Sequence, residues 1–495
     1  MKINLTRTVI TSIVTLCVFS AASCGKKSSA GTVTPTNPTT PTTPTTPLSS
    51  DVAMWLTTAD QTNVFSKQNV SINFGTSAAS GPLINIDAAT TYQTIDGFGY
   101  CLTGGSAQVI NLMSDAQKND LLTDLFATDG THIGVSYLRI TIGASDLSAF
   151  DYTYDEVTPG QTDVDLKSFS IDQEKTDLIP ILKKIIAINP AIKILATPWT
   201  APTWMKTAPL GENGFKGGSL NTAYYDTYAK YFVKYIQAMK AQGITIDAVT
   251  PQNEPLNAYN NPAMTMQSNE EADFVKNNLG PQFKAAGITA KIIVYDHNAD
   301  HTEYPTDIYK DAVANPYIDG SAFHLYAGSI NSVSAVHDAY PAKNLYFTEQ
   351  YTPATGGFGG DLSWHVTNLI VGATRNWCRN VLEWNLATDP SFGPHTNGGC
   401  DGCKGALTIN SATSVTRNVS YYIIAHASKF VRPGAVRIAS DYLSALPNVA
   451  FRNTDGSTVL IVLNSGTSQQ SFSFKIGGKT ATSTLDAGAV ATYVW

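Results

Sequence analysis

From Tyr92 onward, short apolar runs rich in β-branched residues alternate with longer segments in which apolar side chains recur every three or four positions. The first kind suits strands buried on both faces, and the second suits helices with one apolar stripe. Eight runs predict strands: Thr94–Tyr100, Val135–Ile142, Ile192–Pro198, Ile246–Glu254, Lys291–Asp296, Gly320–Tyr326, Asn344–Glu349 and Asn380–Leu386. Helices are predicted over Asp172–Ile188, Tyr224–Gln242 and Glu270–Ala286; Tyr228, Phe232, Tyr235 and Met239 form the stripe of the second. Eight alternating units are what a (β/α)8 TIM barrel of the α/β class requires.

Outside this stretch the pattern changes. Val70–Asp87 and Ala435–Trp495 carry short alternating strands, such as Val449–Arg452, Val459–Leu463 and Phe472–Lys475, separated by Gly, Asn and Asp turns. That is the pattern of a β-sandwich. One piece precedes the barrel and one follows it, so both are expected in a single attached all-β sandwich side domain. The expected divisions are 51–91 for the N-terminal contribution to the sandwich, 92–430 for the barrel and 431–495 for the C-terminal sandwich.

At the N-terminus, Lys2 and Arg7 precede an apolar run from Val9 to Phe19. The run reads as an export signal and is too short to span a bilayer. Ala21-Ala22-Ser23-Cys24 resembles a bacterial lipobox, in which residues 1–24 form the signal peptide and Cys24 is lipidated; the alternative is an ordinary secretory signal cleaved nearby. Residues 25–50 contain a Thr-Pro tract without apolar periodicity, which suits a semi-extended linker. The expectation is an exported monomer anchored to a bacterial membrane, periplasmic or at the cell surface, that touches the membrane only through its lipid.

Composition narrows the class of ligand. Charged residues are 14% of the chain, against roughly 25% in an average soluble protein. The net charge is −7 and no polybasic run is present, which argues against nucleic acid as a partner. Of six cysteines, Cys17 lies in the signal and Cys24 in the lipobox, leaving Cys101, Cys378, Cys400 and Cys403. Cys400-x-x-Cys403 lacks the second pair that zinc requires, and in an exported protein a local disulfide closing the loop after strand eight is favoured. Cys101 and Cys378 are either a second bridge or buried thiols.

In a barrel of this kind the reactive groups sit at the C-terminal ends of the strands. The strand ends here hold Asp96, Arg139, Trp199, Asn253, Glu254, His324, Tyr326, Glu349 and Trp384. Glu254 and Glu349 make the pair of carboxylates that glycosidic-bond hydrolysis needs. Glu254 is assigned general acid/base, against a solvated loop glutamate; Pro255 should bias its backbone toward an extended conformation, and the Asn253 amide suits a sugar 2-hydroxyl. Glu349 is assigned nucleophile, with Arg139 as the cation that supports it. The expected division has Arg139 keeping Glu349 ionised while Glu349 and aromatic walls push Glu254 upward.

His324 and Tyr326 alternate onto one face of strand six, to orient the nucleophile or bind a hydroxyl; the bland reading is a satisfied structural histidine. Trp199, Trp204 and Trp384 suit stacking on a sugar ring or burial in the core, with Trp384 the stronger case for stacking. Asp96 and Asp146 are candidate hydroxyl binders, whereas Glu383 faces away from Trp384 and suits a buried ion pair.

These residues carry a resemblance. The runs Ile194–Lys206, Tyr231–Lys234 and Ala248–Pro255, with Asp96–Gly99, Arg139-Ile140, Ala144–Asp146, His324–Tyr326, Thr348-Glu349 and Glu383–Ala387, resemble glycoside hydrolase family 30. The likeness extends from about Val70 to the C-terminus. It implies a barrel with an attached β-sandwich, a retaining mechanism using Glu254 and Glu349, and a first sugar subsite lined by Asp146, Trp199, Asn253, Tyr326 and Trp384. It implies neither metal nor cofactor. The loop Asp389–Gly405 looks like that of the β-1,6-glucanases of the family and unlike that of its lysosomal glucosylceramidase. The expected function is therefore a retaining endo-β-1,6-glucanase acting on β-glucan. The alternatives are a β-glucosidase or glucosylceramidase-like activity, or a surface glycan-binding lipoprotein without turnover.

Overall fold

The computed structural model describes residues 48–495 apart from Glu212. The signal peptide, Cys24 and the linker as far as residue 47 lie outside the described residues. Eight parallel strands close a barrel in chain order: β1 (Gly97–Leu102), β2 (Tyr137–Thr141), β3 (Lys193–Thr197), β4 (Ala248–Val249), β5 (Lys291–Ala299), β6 (Ile318–Gly328), β7 (Asn344–Glu349) and β8 (Cys378–Asn385). The (β/α)8 expectation holds. Period-two alternation fills the interior with Tyr137, Leu195, Ala248, Ile293, Ala322, Tyr346 and Leu382, one from each of β2 to β8, while the intervening apolar residues face the surrounding helices. β1 contributes Gly99, where a side chain would strike the Tyr137 carbonyl oxygen at 1.9 Å.

The boundaries differ from the sequence pattern where proline or glycine intervenes. A 3₁₀ turn over Asp172–Lys175 precedes the helix Leu178–Ile188, because Pro180 is tolerated only in a first turn. Helix Ser268–Phe274 widens into a π turn at Val275–Leu279 before continuing as Gly280–Ala285, which accommodates Pro281. β4 is two residues long, so Glu254 lies beyond it and not within it. β1 starts after Asp96, which places that carboxylate at the N-terminal end of the strand, where it accepts from Arg379 Nη2 at 2.7 Å. Asp96 is thus a structural ion-pair residue at the floor of the barrel, not a group at its mouth.

Both flanking segments build one nine-stranded sheet, ordered Ser66–Lys67, Ala53–Thr57, Val490–Val494, Thr458–Leu463, Asn448–Arg452, Val436–Ser440, Leu83–Thr94, Gln470–Ile476 and Lys479–Leu485. All pairings are antiparallel except that of Leu83–Thr94 with Gln470–Ile476. Alternation splits each central strand between two cores. Leu460 and Val462 enter the sandwich with Phe472, Phe474 and Tyr493, whereas Val459, Ile461 and Leu463 join the large cluster of the barrel and its helices. A strand covered on both faces carries no polar alternation, which explains the unbroken apolar run Val459–Leu463.

Candidate active site

Two residues further along the strands, the same inward-facing register changes from apolar to polar. Arg139 follows Tyr137, Thr197 follows Leu195, Thr250 follows Ala248, His324 follows Ala322, Thr348 follows Tyr346 and Trp384 follows Leu382. β5 reaches the same layer by a different route: its register against β6 slips between Tyr295 and His297, with φ of +76° at Tyr295 and +58° at Asp296. This bulge turns Asp296 inward in place of Tyr295. Asp296 then accepts from Arg139 Nη2 (2.8 Å), Thr250 Oγ1 (2.9 Å), Thr348 Oγ1 (2.6 Å) and His324 Nε2 (3.2 Å).

Both glutamates stand on this layer. Arg139 Nη1 donates to Glu349 Oε2, and Tyr326 Oη donates to Glu349 Oε1 at 2.9 Å. Glu254 Oε1 faces His324 Nδ1 at 3.1 Å and Oε2 accepts from Asn257 Nδ2 at 2.8 Å. Carboxylate oxygens of Glu254 and Glu349 lie within 4.8 Å of each other and of His324. So close an approach of oxygens suits the retaining arrangement, in which carboxyl groups stand about 5–5.5 Å apart, better than the roughly 6.5–9.5 Å of inversion. Glu254 does not adopt the extended backbone expected from Pro255. Its φ is +45° and its N–H donates to the Asp296 carbonyl at 3.0 Å, a left-handed conformation of the kind held at functional sites by surrounding structure.

The electrostatics reverse the division expected from the sequence. Burial works to raise Glu254, but the hydrogen bond and charge of His324, with His297 and Asn257, outweigh it and bring Glu254 down to about 2. Burial raises Glu349, and His324 and Arg139 offset it only in part. The physical reason is that Arg139 divides its charge between Asp296 and Glu349, while the imidazole charge lies against Glu254. Burial would lower His324, yet Glu349, Asp296 and Glu254 raise it to about 9. The imidazole is therefore protonated at neutral pH, with both nitrogens used as donors. Glu254, His324 and Glu349 are close enough to share a cation, but a protonated imidazole has no free lone pair to offer one.

The remaining wall is aromatic and polar. Trp199 and Trp384 have ring centroids 5.3 Å apart, and the Arg139 guanidinium lies 4.8 Å from the first and 5.7 Å from the second. Asn253 Oδ1 accepts from Arg139 Nη2 at 2.6 Å. Asp146 Oδ1 and Trp199 Nε1 are buried without a partner; burial, then Glu349 and Glu254, raise the Asp146 carboxyl to about 8. Cys400 and Cys403 are disulfide-bonded and pack with Trp199, Trp384, Leu147 and Cys101. Among the described residues Cys101 and Cys378 are free, buried thiols.

The structure thus gathers Arg139, Asp146, Trp199, Asn253, Glu254, His324, Tyr326, Glu349 and Trp384 into one cluster at the C-terminal end of the barrel. Trp204 is elsewhere: its Nε1 donates to the Asp155 carbonyl at 2.8 Å and its ring abuts Tyr224. Glu383 faces away and meets His365 Nδ1 at 2.8 Å. Sequence reasoning missed Asp296, Asn257 and the threonine ring of Thr197, Thr250 and Thr348. Asp296 alone carried a signal, as an acid at the end of a predicted strand.

Residues 95–431 match the model of the glycosyl hydrolase family 30 TIM-barrel domain and residues 434–493 that of the family 30 beta sandwich domain. The chain belongs to glycosyl hydrolase family 30. It is 36% identical over 388 residues to an endo-1,6-beta-D-glucanase of Neurospora crassa, covering 75% of this chain and 79% of that protein. With the lysosomal acid glucosylceramidase of Mus musculus it shares 26% identity over 447 residues, 84% of each chain. Among solved structures, the endo-beta1,6-glucanase BT3312 superposes with a TM-score of 0.84 at 39% identity, covering 90% of this chain and 99% of that one. As a family 30 member the chain is a glycoside hydrolase with barrel and sandwich as described.

Proposed function

We propose that this family 30 enzyme is a retaining endo-β-1,6-glucanase. The observation that carries the reading is the approach of Glu254 and Glu349 to within 4.8 Å, beside extensive likeness to proteins named as β-1,6-glucanases. In the first step the Glu349 carboxylate attacks the anomeric carbon. The bond to the leaving oxygen breaks, and Glu254 delivers a proton to that oxygen. In the second step Glu254 takes a proton from water, whose oxygen attacks the anomeric carbon and releases Glu349.

The proton that Glu254 delivers is held by the Glu254–His324 pair. In the free enzyme it sits on the imidazole. Its transfer to Glu254 leaves His324 neutral, with Nε2–H still directed at Asp296. Arg139 and Tyr326 fix both oxygens of Glu349, so the nucleophile needs no reorganisation before attack. Asp146, Trp199 and Trp384 present a carboxyl group that is protonated at neutral pH, with Oδ1 unpaired, and two indole rings to the glycone.

The test is hydrolysis of pustulan, laminarin, xylan and glucosylceramide side by side, with the anomer of the first product read by proton NMR. Release of short β-1,6-oligosaccharides as the β-anomer supports the reading. Turnover confined to another substrate, or an α-anomer, overturns it. We further propose export with Cys24 as the lipid anchor; replacement of Cys24 by Ser is then expected to move the protein from the membrane fraction to the soluble one.

A further inference from the structure

Beside the two glutamates a concavity of about 480 Å³ lies between the ends of β6 and β7 and the helix Phe358–His365. Its walls include Tyr326, Gln350, Tyr351, Asp361 and Trp364. Tyr326 joins the concavity to Glu349: its hydroxyl donates to Glu349, its ring lies 5.5 Å from that of Tyr351, and it is 37% exposed. The size falls within the roughly 300–1,000 Å³ of ordinary ligand sites.

Three features define what fits here. Trp364 is 40% exposed, an unusual state for a large aromatic side chain on the wall of a cavity. Gln350 Oε1, on a side chain only 8% exposed, is buried without a partner. Asp361 Oδ2 is likewise buried without a partner. Buried acceptors left unpaired are costly, so an occupant that draws these side chains toward the groove and supplies hydroxyl donors, together with an apolar face for the indole, relieves that cost. An anion would meet the Asp361 carboxylate, and a hydrocarbon would leave both oxygens unpaired. A pyranose has both properties: a C–H face for stacking and a rim of hydroxyl groups.

We propose that this groove is a remote subsite that binds a glucose unit of the same glucan chain whose bond is cleaved at Glu254 and Glu349. Trp364 stacks on the ring, Asp361 and Gln350 turn their unpaired oxygens to its hydroxyls, and Tyr326 and Tyr351 form the wall on the side of Glu349. The antiparallel pairing of Thr352–Pro353 with Cys403–Lys404 ties the Tyr351 side of the groove to the disulfide loop. The subsite rests on the β-glucanase reading, since it requires a chain longer than the unit held at the nucleophile.

The test compares Trp364→Ala and Asp361→Asn with the unsubstituted enzyme on pustulan and on the shortest β-1,6-gluco-oligosaccharide that the enzyme cleaves. Thermal midpoints are measured alongside; Trp364 is a surface side chain, and Trp364→Phe retains a ring should the alanine variant unfold. The expected result is a fall of about tenfold in kcat/KM for pustulan, the equivalent of about 1.4 kcal/mol of stacking, with the short substrate unchanged and Trp364→Phe close to the parent. An equal loss on both substrates, or no loss on pustulan, overturns the subsite. Failure of the unsubstituted enzyme to cleave pustulan instead overturns the β-1,6 reading, and the ligand of the groove with it.

Discussion

Arg139 and Asp296 meet at 2.8 Å with both side chains wholly buried, and each also holds one of the two glutamates proposed as the catalytic pair. Arg139 donates to Glu349, while Asp296 receives His324, the partner of Glu254, and accepts the Glu254 N–H through its backbone carbonyl. One ion pair therefore sets the positions of both carboxylates. Burial alone would raise Asp296, but Arg139, His324 and Thr348 hold it well below the usual carboxylate range.

Asp296→Ala is expected to destabilise the fold as well as silence the enzyme. Loss of Asp296 strips Arg139, His324, Thr250 and Thr348 of a buried acceptor at once, and removing one partner of a buried pair costs about 3–5 kcal/mol. Urea unfolding is the measurement, with Arg139→Met/Asp296→Leu as the comparison. The double apolar replacement should be more stable than Asp296→Ala and equally inactive. A stability for Asp296→Ala equal to the parent would show that the pair does not carry the charge balance of the layer.

The His324 proton predicts a pH window. Its pKa in the fold, about 9, lies above its ordinary value of 6.5. The linked stabilisation is therefore present in full below about pH 6.5 and lost as pH rises through about 9. Asp146, raised from 3.8 to about 8, adds a loss in the same direction between those values, and Asp146→Asn removes that contribution. Unfolding free energies between pH 6 and 9.5 should thus fall more steeply in the Asp146→Asn background than in Asp146→Asn/His324→Gln. Over the alkaline part of the window the Glu254–His324 pair also loses the proton needed for the first step. The alkaline limb of kcat/KM reports that pair as a unit and should shift in His324→Gln; an unmoved limb would assign the proton to another group.

The barrel was legible because strands covered on both faces leave continuous β-branched runs, and helices leave a 3.6-residue stripe. The two glutamates proposed as catalytic were legible because each follows such a run. Asp296 was legible only as an acid at a strand end; its inward orientation depends on a bulge at Tyr295–His297 that shifts the alternation by one, and a register slip leaves no trace in residue type. Asp96 was misplaced for a related reason: an acid beside a strand marks either end equally well, and only the pairing with Arg379 locates it at the floor. The charge division failed because sequence suggested that Arg139 serves Glu349 alone, whereas in space it is shared three ways with Asp296 and Asn253.

The roles of the glutamates separate by chemical rescue. Glu254→Ala is expected to lose about 10²–10⁴-fold in kcat on substrates with poor leaving groups and far less on an activated aryl β-glucoside, which needs no protonation. Azide added to that variant should occupy the space of the carboxylate, attack the glycosyl-enzyme and yield the β-glucosyl azide. In Glu349→Ala azide replaces the nucleophile itself, so the product should be the α-azide. The opposite pairing of variant and anomer, read by NMR, would exchange the two assignments.

The disulfide loop is expected to act on binding more than on stability. Cys400 and Cys403 are three residues apart, so the bridge closes a very short loop and contributes about 2 kcal/mol at most in chain-entropy terms. Its position matters more. Thr396 N–H donates to the Asp146 carbonyl at 2.9 Å, the Cys400 backbone amide acts on the Asp146 carboxyl, and both sulfurs pack in the cluster with Trp199 and Trp384. Loosening the loop therefore frees the residues that face the glycone without touching Glu254, Glu349 or the Arg139–Asp296 pair. Cys400→Ser/Cys403→Ser, or reduction by dithiothreitol, should raise KM several-fold with kcat within about twofold, as expected when binding common to ground and transition states is lost. A fall in kcat at constant KM would mean that the loop positions the reacting groups themselves.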